Sequence, residues 1–181
     1  MKLMIASDLH GSAYYTALLL ERWRAENAER LVLLGDILYH GPRNDLPREY
    51  APKEVIAQLN PLAPQILAVR GNCDCEVDQM VLKFPMLADY AVLFLGGQTV
   101  YLTHGHVVNT QNPLAFQRGD ILLHGHTHVP VCEDCGTYRY LNPGSVSIPK
   151  NDTPHSYMTW EDGTFLWREL ESGAVYKSFQ P

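Results

Sequence analysis

The stretch KLMIASDLHG, residues 2–11, sets the course of the fold: a short apolar run breaks at Asp8, with His10 and Gly11 just beyond. A run of that length with no polar alternation reads as a strand buried on both faces. The pattern returns at LVLLGD, residues 31–36, and again at QILAVRGN, residues 65–72. Between the first two runs, Ser12 is placed to cap a helix extending to about residue 28. Between the second and third, Pro52 suits the first turn of a helix reaching about residue 62. Three buried strands joined by two helices predict an α/β fold whose parallel sheet has right-handed crossovers.

Beyond residue 90 the pattern changes to closely spaced strand candidates at 91–95, 98–103, 120–124, 137–141, 156–160 and 164–170. Gly96-Gly97 and Asp162-Gly163 are hairpin signals, and residues 175–179 are suited to close a sheet. The segment 39–50, YHGPRNDLPREY, is too rich in Pro, Gly and Asn for regular structure. Long loops in compact domains often bind ligands, so this one is expected to shape the substrate site.

No repeat, linker or low-complexity segment divides the 181 residues, and a single domain over 1–181 is expected. Hydrophobic residues make up 46% and charged residues 19%, which suits a packed core. The formal net charge of -6 argues against stable nucleic-acid binding by phosphate neutralisation. No apolar run approaches the ~20 residues of a membrane span, and the N-terminal run is too short for a signal peptide. A cytoplasmic protein is the expectation. There the four cysteines, Cys73, Cys75, Cys132 and Cys135, stay reduced. The CxC pair is tightly spaced for structural zinc, so ordinary thiols are the simpler reading.

The chemistry lies where the apolar runs stop. Asp8 and His10, Asp36, Asn72, His104, and His126 with His128 each follow a predicted strand. Ligand sites in open α/β sheets lie beyond the carboxyl ends of the strands, so these side chains are expected to converge. Mixed carboxylate and imidazole donors suit first-row divalent ions. Manganese is the first expectation, and Ni, Co, Fe and Zn also fit. Two such ions carry four positive charges against the two negative ones of Asp8 and Asp36. A bridging carboxylate, best supplied by Asp36, and a hydroxide would complete the pair. The remaining positive charge would attract a phosphate ester despite the acidic chain.

The motifs DLH (8–10), GDILYHG (35–41), GNCD (71–74), THGH (103–106), HGHTH (124–128) and NPGS (142–145) together resemble those of the calcineurin-like metallophosphoesterases. The resemblance covers residues 3 to about 150. It implies a four-layer α/β/β/α sandwich and a phosphodiesterase that attacks phosphorus with a hydroxide held at a dinuclear centre. It also divides the ligands: Asp8, His10, Asp36 and His128 on one ion, and Asp36, Asn72, His104 and His126 on the other. The family usually has histidine after the asparagine, where this chain has Cys73. A thiol of pKa about 8.5 is a different proton donor, and Asp74 would ordinarily orient that side chain. A phosphomonoesterase and a scaffold like the retromer subunit of this fold are the competing readings. The full ligand set disfavours the scaffold.

Arg43, Arg70 and His106 are the candidates for substrate phosphate, although an arginine serves equally well in an internal ion pair. His124 is read as a buried structural or supporting residue, and His40 and His155 as loop histidines. Trp160, Trp167 and Tyr176 suit either a core or the interface of a homo-oligomer.

Overall fold

The computed structural model describes residues 1–181. The three apolar runs form β1 (Leu3–Ala6), β2 (Arg30–Leu33) and β3 (Ile66–Ala68), paired in parallel. Helix α1 (Ala13–Ala25) joins the first two, and the Ser12 hydroxyl accepts a hydrogen bond from the Tyr15 N–H at its start. Helix α2 (Pro52–Leu59) has Pro52 in its first turn. It is shorter than the sequence suggested, because Pro61 and Pro64 tighten residues Asn60–Gln65 into a 3₁₀ helix. A third helix, α3 (Glu76–Val81), carries no clear apolar stripe in the sequence and none of its residues is buried.

The remaining strands are β4 (Tyr90–Leu95), β5 (Gln98–Thr103), β6 (Asp120–Leu123), β7 (Pro130–Asp134), β8 (Tyr138–Pro143), β9 (Ser156–Glu161), β10 (Thr164–Glu169) and β11 (Val175–Phe179). They complete two sheets, ordered β11-β10-β9-β1-β2-β3 and β4-β5-β6-β8-β7. The architecture is a mixed α/β sandwich of two sheets flanked by helices, as the α/β/β/α class requires. Cys132 lies on β7 of the β7–β8 hairpin, and all four cysteines are free thiols. No helix is long and apolar enough to cross a membrane.

The period-2 geometry of the central strands produces two cores. Met4, Ala6, Leu31, Leu33, Ile66 and Ala68 face α1 and α2, while Leu3, Ile5, Val32, Leu34 and Val69 face the second sheet. Strands apolar on both faces are what a sheet covered on both sides demands. Trp160 and Trp167 are buried in the layer between the sheets, so the structure assigns them to the core. Tyr176 alone of the three aromatics remains exposed.

Candidate metal centre

Strands β1, β2 and β3 run parallel in one sheet, as do β5 and β6 in the other. Each of the five ends beside a sequence-predicted donor, and the two sets of ends meet. Around His10 the array is tight. Its Nε2 lies 3.2 Å from His128 Nε2, 3.7 Å from Asp8 Oδ1 and 3.7 Å from Asp36 Oδ2. His128 Nε2 is 3.3 Å from Asp8 Oδ1. A second group surrounds His104. Its Nε2 lies 3.1 Å from Asn72 Oδ1, 3.2 Å from His126 Nδ1 and 3.4 Å from Asp36 Oδ2. Asp36 Oδ2 is therefore common to both groups.

The tautomers show why this arrangement calls for cations. His10 Nδ1 is 2.8 Å from the Tyr39 carbonyl, His104 Nδ1 is 2.7 Å from the Leu34 carbonyl, and His128 Nδ1 contacts the Ile148 carbonyl. A carbonyl only accepts, so each Nδ1 carries a proton and each Nε2 is left to face inward, where it can give its lone pair to a cation. Ring nitrogens facing each other at such distances, beside two carboxylates, repel unless a proton or a metal cation lies among them. Asp8 Oδ1 is buried with no hydrogen-bond partner, which points to the same requirement. Three clusters have donor atoms within 4.8 Å of one another: Asp8–His10–His128, His10–Asp36–Cys73 and Asp8–Asp36–His104. The residues present thus fit a dinuclear centre.

The electrostatics agree. Burial pushes the Asp8 carboxyl up, but the adjoining His10 and His128 rings and the charge at His104 outweigh it and hold the group well below the usual range. Burial pulls His104 down, yet Asp36 and Asp8 raise it to about 9. The centre holds its carboxylates ionised and draws positive charge. Metal ions can supply that charge, displacing protons as they bind.

The backbone around the ligands is strained. Asp8, His10, Asp36, His126 and His128 all have left-handed φ, between 48° and 65°. Asp and His tolerate this region better than most residues, at about 1–3 kcal/mol each, and such strain clusters at functional sites. The surrounding contacts hold it in place. The Ser145 and Ser147 hydroxyls both donate to the Asp8 carbonyl, at 2.9 and 3.0 Å. The Asn142 amide donates to the Gly125 carbonyl at 2.8 Å and so steadies the turn carrying His126 and His128. Gly125 packs so closely that a Cβ there would overlap the Ser7 hydroxyl and crowd Asp8. The NPGS motif thus works as a clamp on two ligand turns.

Asp74 belongs to the same scaffold. Its carboxylate accepts hydrogen bonds from the N–H groups of Asp36 (2.8 Å), Ile37 (2.9 Å) and Gly71 (2.7 Å). It ties the β2 and β3 ends together and is itself buried. Burial pushes its carboxyl up to about 6 against the pull of these N–H bonds. Cys73 does lie at the centre. Its N–H donates to Asp36 Oδ1 at 2.8 Å, and burial and the neighbouring Asp36 raise its thiol far above the ordinary value. The thiol is poorly matched to proton donation.

A cleft of about 450 Å³ opens over the donors, lined by Asp36, Asn72, Cys73, His126 and His128 together with Arg43, Asn44, Thr127 and Lys150. Arg43 reaches it from the 39–50 loop, as expected. Lys150 and Thr127 were not anticipated; Thr127 stands inside the HGHTH motif, and Lys150 carries no local signal. Arg70 does not line the cleft. Its Nε donates to the Asp74 carbonyl at 3.3 Å and its guanidinium faces Glu76 at 3.7 Å, the ion pair that was its alternative reading. His106 is exposed beside the donors, with its ring 5.5 Å from that of His104 and 6.3 Å from that of His126. His124 is buried and stacks on Tyr140 at 4.3 Å, a supporting position.

Such a centre at the ends of two facing sheets defines a metal-dependent phosphoester hydrolase, and the chain belongs to the calcineurin-like phosphoesterase superfamily, whose domain model matches residues 1–162. It is 52% identical over 157 residues to the phosphodiesterase YfcE of Escherichia coli (strain K12), a match spanning 87% of this chain and 85% of that relative. The solved structure of the E. coli phosphoesterase YfcE superposes with a TM-score of 0.96 at 46% identity, covering 99% of this chain and 98% of that one. Zinc-complexed wild-type Vps29 of Entamoeba histolytica shares the fold, with a TM-score of 0.65 at 24% identity over 99% of this chain and 98% of that one.

Proposed function

We propose that the protein is a phosphodiesterase acting on small phosphodiesters at a centre of two divalent ions, as one catalytic domain over residues 1–181. Asp8, His10, Asp36 and His128 hold one ion; Asp36, Asn72, His104 and His126 hold the other. The observation that carries this reading is Asp36 Oδ2, placed 3.7 Å from His10 Nε2 and 3.4 Å from His104 Nε2, where one oxygen serves both sets. Manganese is the ion proposed, with nickel, cobalt, iron or zinc accepted by the same donors. Bound divalent ions supply Lewis-acid polarisation of the phosphoryl oxygens and activation of the attacking water.

The chain's own side chains orient the ester. Arg43 and Lys150 bring positive charge to the cleft, and His106 reaches the phosphate from the His104 side. The net charge of -6 leaves this local field as the attraction for an anion, which favours a small diester over a nucleic-acid strand. The free thiols suit the cytoplasm. Exposed Tyr176, on β11 at the rim of the first sheet, is the place where a homo-oligomer would form.

The test compares bis-p-nitrophenyl phosphate with p-nitrophenyl phosphate after EDTA treatment and reloading with each metal in turn. The diester should be hydrolysed preferentially, only with metal restored, and fastest with manganese. A strong preference for the monoester would replace the diesterase reading with a phosphomonoesterase. Activity that survives complete metal removal would end the two-metal reading.

His106→Ala separates substrate contact from metal holding. The variant should keep its full metal content while kcat/KM falls about 10-fold or more, the loss of one charge-assisted contact of ~1.5–3 kcal/mol. Loss of metal in this variant would make His106 a ligand and overturn its assignment to substrate.

A further inference from the structure

Away from the donors and Cys73, the cleft is lined by Gly41, Pro42, Arg43, Asn44, Thr127 and Lys150. Pro42 is the one apolar side chain among them, and none is aromatic or acidic. In a chain with 20 Asp and Glu against 14 Lys and Arg, this exclusion of acids leaves a local excess of positive charge. The ion pairs of lysine and arginine fall on Lys2, Arg48, Arg70, Arg139 and Arg168, and neither Arg43 nor Lys150 takes part in one.

Both cations rise from backbone fixed against the centre. The Lys150 N–H donates to the His128 carbonyl at 3.2 Å, and the Lys150 carbonyl accepts from the Thr153 hydroxyl at 2.7 Å. Beside Arg43, the Asn44 amide donates to the His40 carbonyl at 2.8 Å. Gly41 on the same loop packs onto the centre, where a Cβ would come to 3.0 Å from Cys73 Sγ.

Charge arithmetic shows what the two cations lack. Two divalent ions carry four positive charges, which Asp8, Asp36, the attacking hydroxide and the single negative charge of a diester cancel. Arg43 and Lys150 then hold two further positive charges that the scissile phosphate does not require. A phosphate monoester brings about -1.5 to -2 at pH 7 and three acceptor oxygens, which matches them. Nucleobases, by contrast, are held on aromatic or apolar faces, and this part of the cleft offers only Pro42.

We infer that the substrate is a small phosphodiester whose alcohol is polar, carries no nucleobase and ends in a second phosphate, and that Arg43 and Lys150 bind that second phosphate. The inference rests on the proposal that the centre cleaves phosphodiesters, and it names their class.

The test takes the metal-loaded protein and p-nitrophenyl diesters of propanediol and butanediol, each with its far hydroxyl either free or phosphorylated. The phosphorylated form should be favoured by at least ~10-fold in kcat/KM, the scale of one hydrogen bond to a charged group, and chiefly through KM. The preference should shrink with added salt and collapse in the double variant Arg43→Gln/Lys150→Gln, whose two altered side chains are exposed. Calorimetry gives a readout apart from turnover: butanediol bisphosphate should bind at least ~10-fold more tightly than the monophosphate, and only in the wild type. Equal rates on the free and phosphorylated diesters would overturn the inference and leave the phosphodiesterase reading standing. A preference for the p-nitrophenyl ester of thymidine monophosphate over the phosphorylated diesters would do the same. A phosphate preference that persists in the double variant would take the second phosphate away from Arg43 and Lys150 and overturn the inference equally. No hydrolysis of any diester would overturn it together with the reading it rests on.

Discussion

Asp36→Ala should lose both ions and reduce kcat/KM by roughly 10³-fold or more, because Lewis-acid stabilisation is worth several kcal/mol and each 1.36 kcal/mol is tenfold. No other carboxylate oxygen stands within 4 Å of both His10 Nε2 and His104 Nε2. Removing that oxygen leaves the imidazole lone pairs of both groups facing a site with one carboxylate fewer. The variant should fold, since the Asp36 backbone keeps its own bonds: its N–H donates to Asp74, and its carbonyl accepts from the His10 N–H at 2.9 Å. Metal analysis by mass spectrometry, beside the rate on bis-p-nitrophenyl phosphate, decides the matter. Two ions retained per chain would contradict the bridging assignment whatever the rate.

Asp74→Ala should damage stability and metal binding together without touching a ligand. Three buried N–H groups would lose their acceptor, at about 1–3 kcal/mol each before relaxation. A net loss of about 4 kcal/mol would lower Tm by roughly 10 °C, at 2–4 °C per kcal/mol for a chain of this size. The same N–H groups belong to the turns presenting Asp36 and Asn72, so metal affinity should fall ~10–100-fold as well. Calorimetry and a metal titration read the two effects separately. A Tm within a degree or two of the wild type would show that the turns hold without this carboxylate.

The two variants separate two kinds of information in the chain. Asp36 was legible in the sequence because it ends an apolar run, and the run itself sets where the strand stops. The same logic found Asp8, His10, Asn72, His104, His126 and His128, and the structure brings all seven together. Asp74 was legible only as a neighbour of Cys73. Its partners lie 37 and 38 positions away at Ile37 and Asp36, and no local pattern announces bonds across that distance. Arg70 stayed open between two readings for a related reason. An arginine beside a ligand suits phosphate and carboxylate equally, and Glu76 becomes a neighbour only once α3 has formed.

Helix α3 itself was missed because it buries none of its residues, and burial is what writes an apolar stripe into a sequence. The strands beyond residue 90 were found for the opposite reason, except β7 (Pro130–Asp134), which the sequence reading did not propose. Their short apolar runs and glycine turns mark where closely spaced strands begin and end. The tryptophans were ambiguous between core and interface until the facing sheets enclosed Trp160 and Trp167.

The sequence by itself determined most of the strand-and-helix order, the parallel core of three strands and the seven candidate donors, because each depends on local composition and the period of burial. The tertiary structure decided the rest. It placed one oxygen of Asp36 between two histidine groups and drew five non-glycine ligands into left-handed backbone. It also set Asp74 as an anchor between the β2 and β3 ends and brought Lys150 and Cys73 to the cleft. Those features arise from contacts between segments far apart in the chain, whose distances exist only when the two sheets have packed.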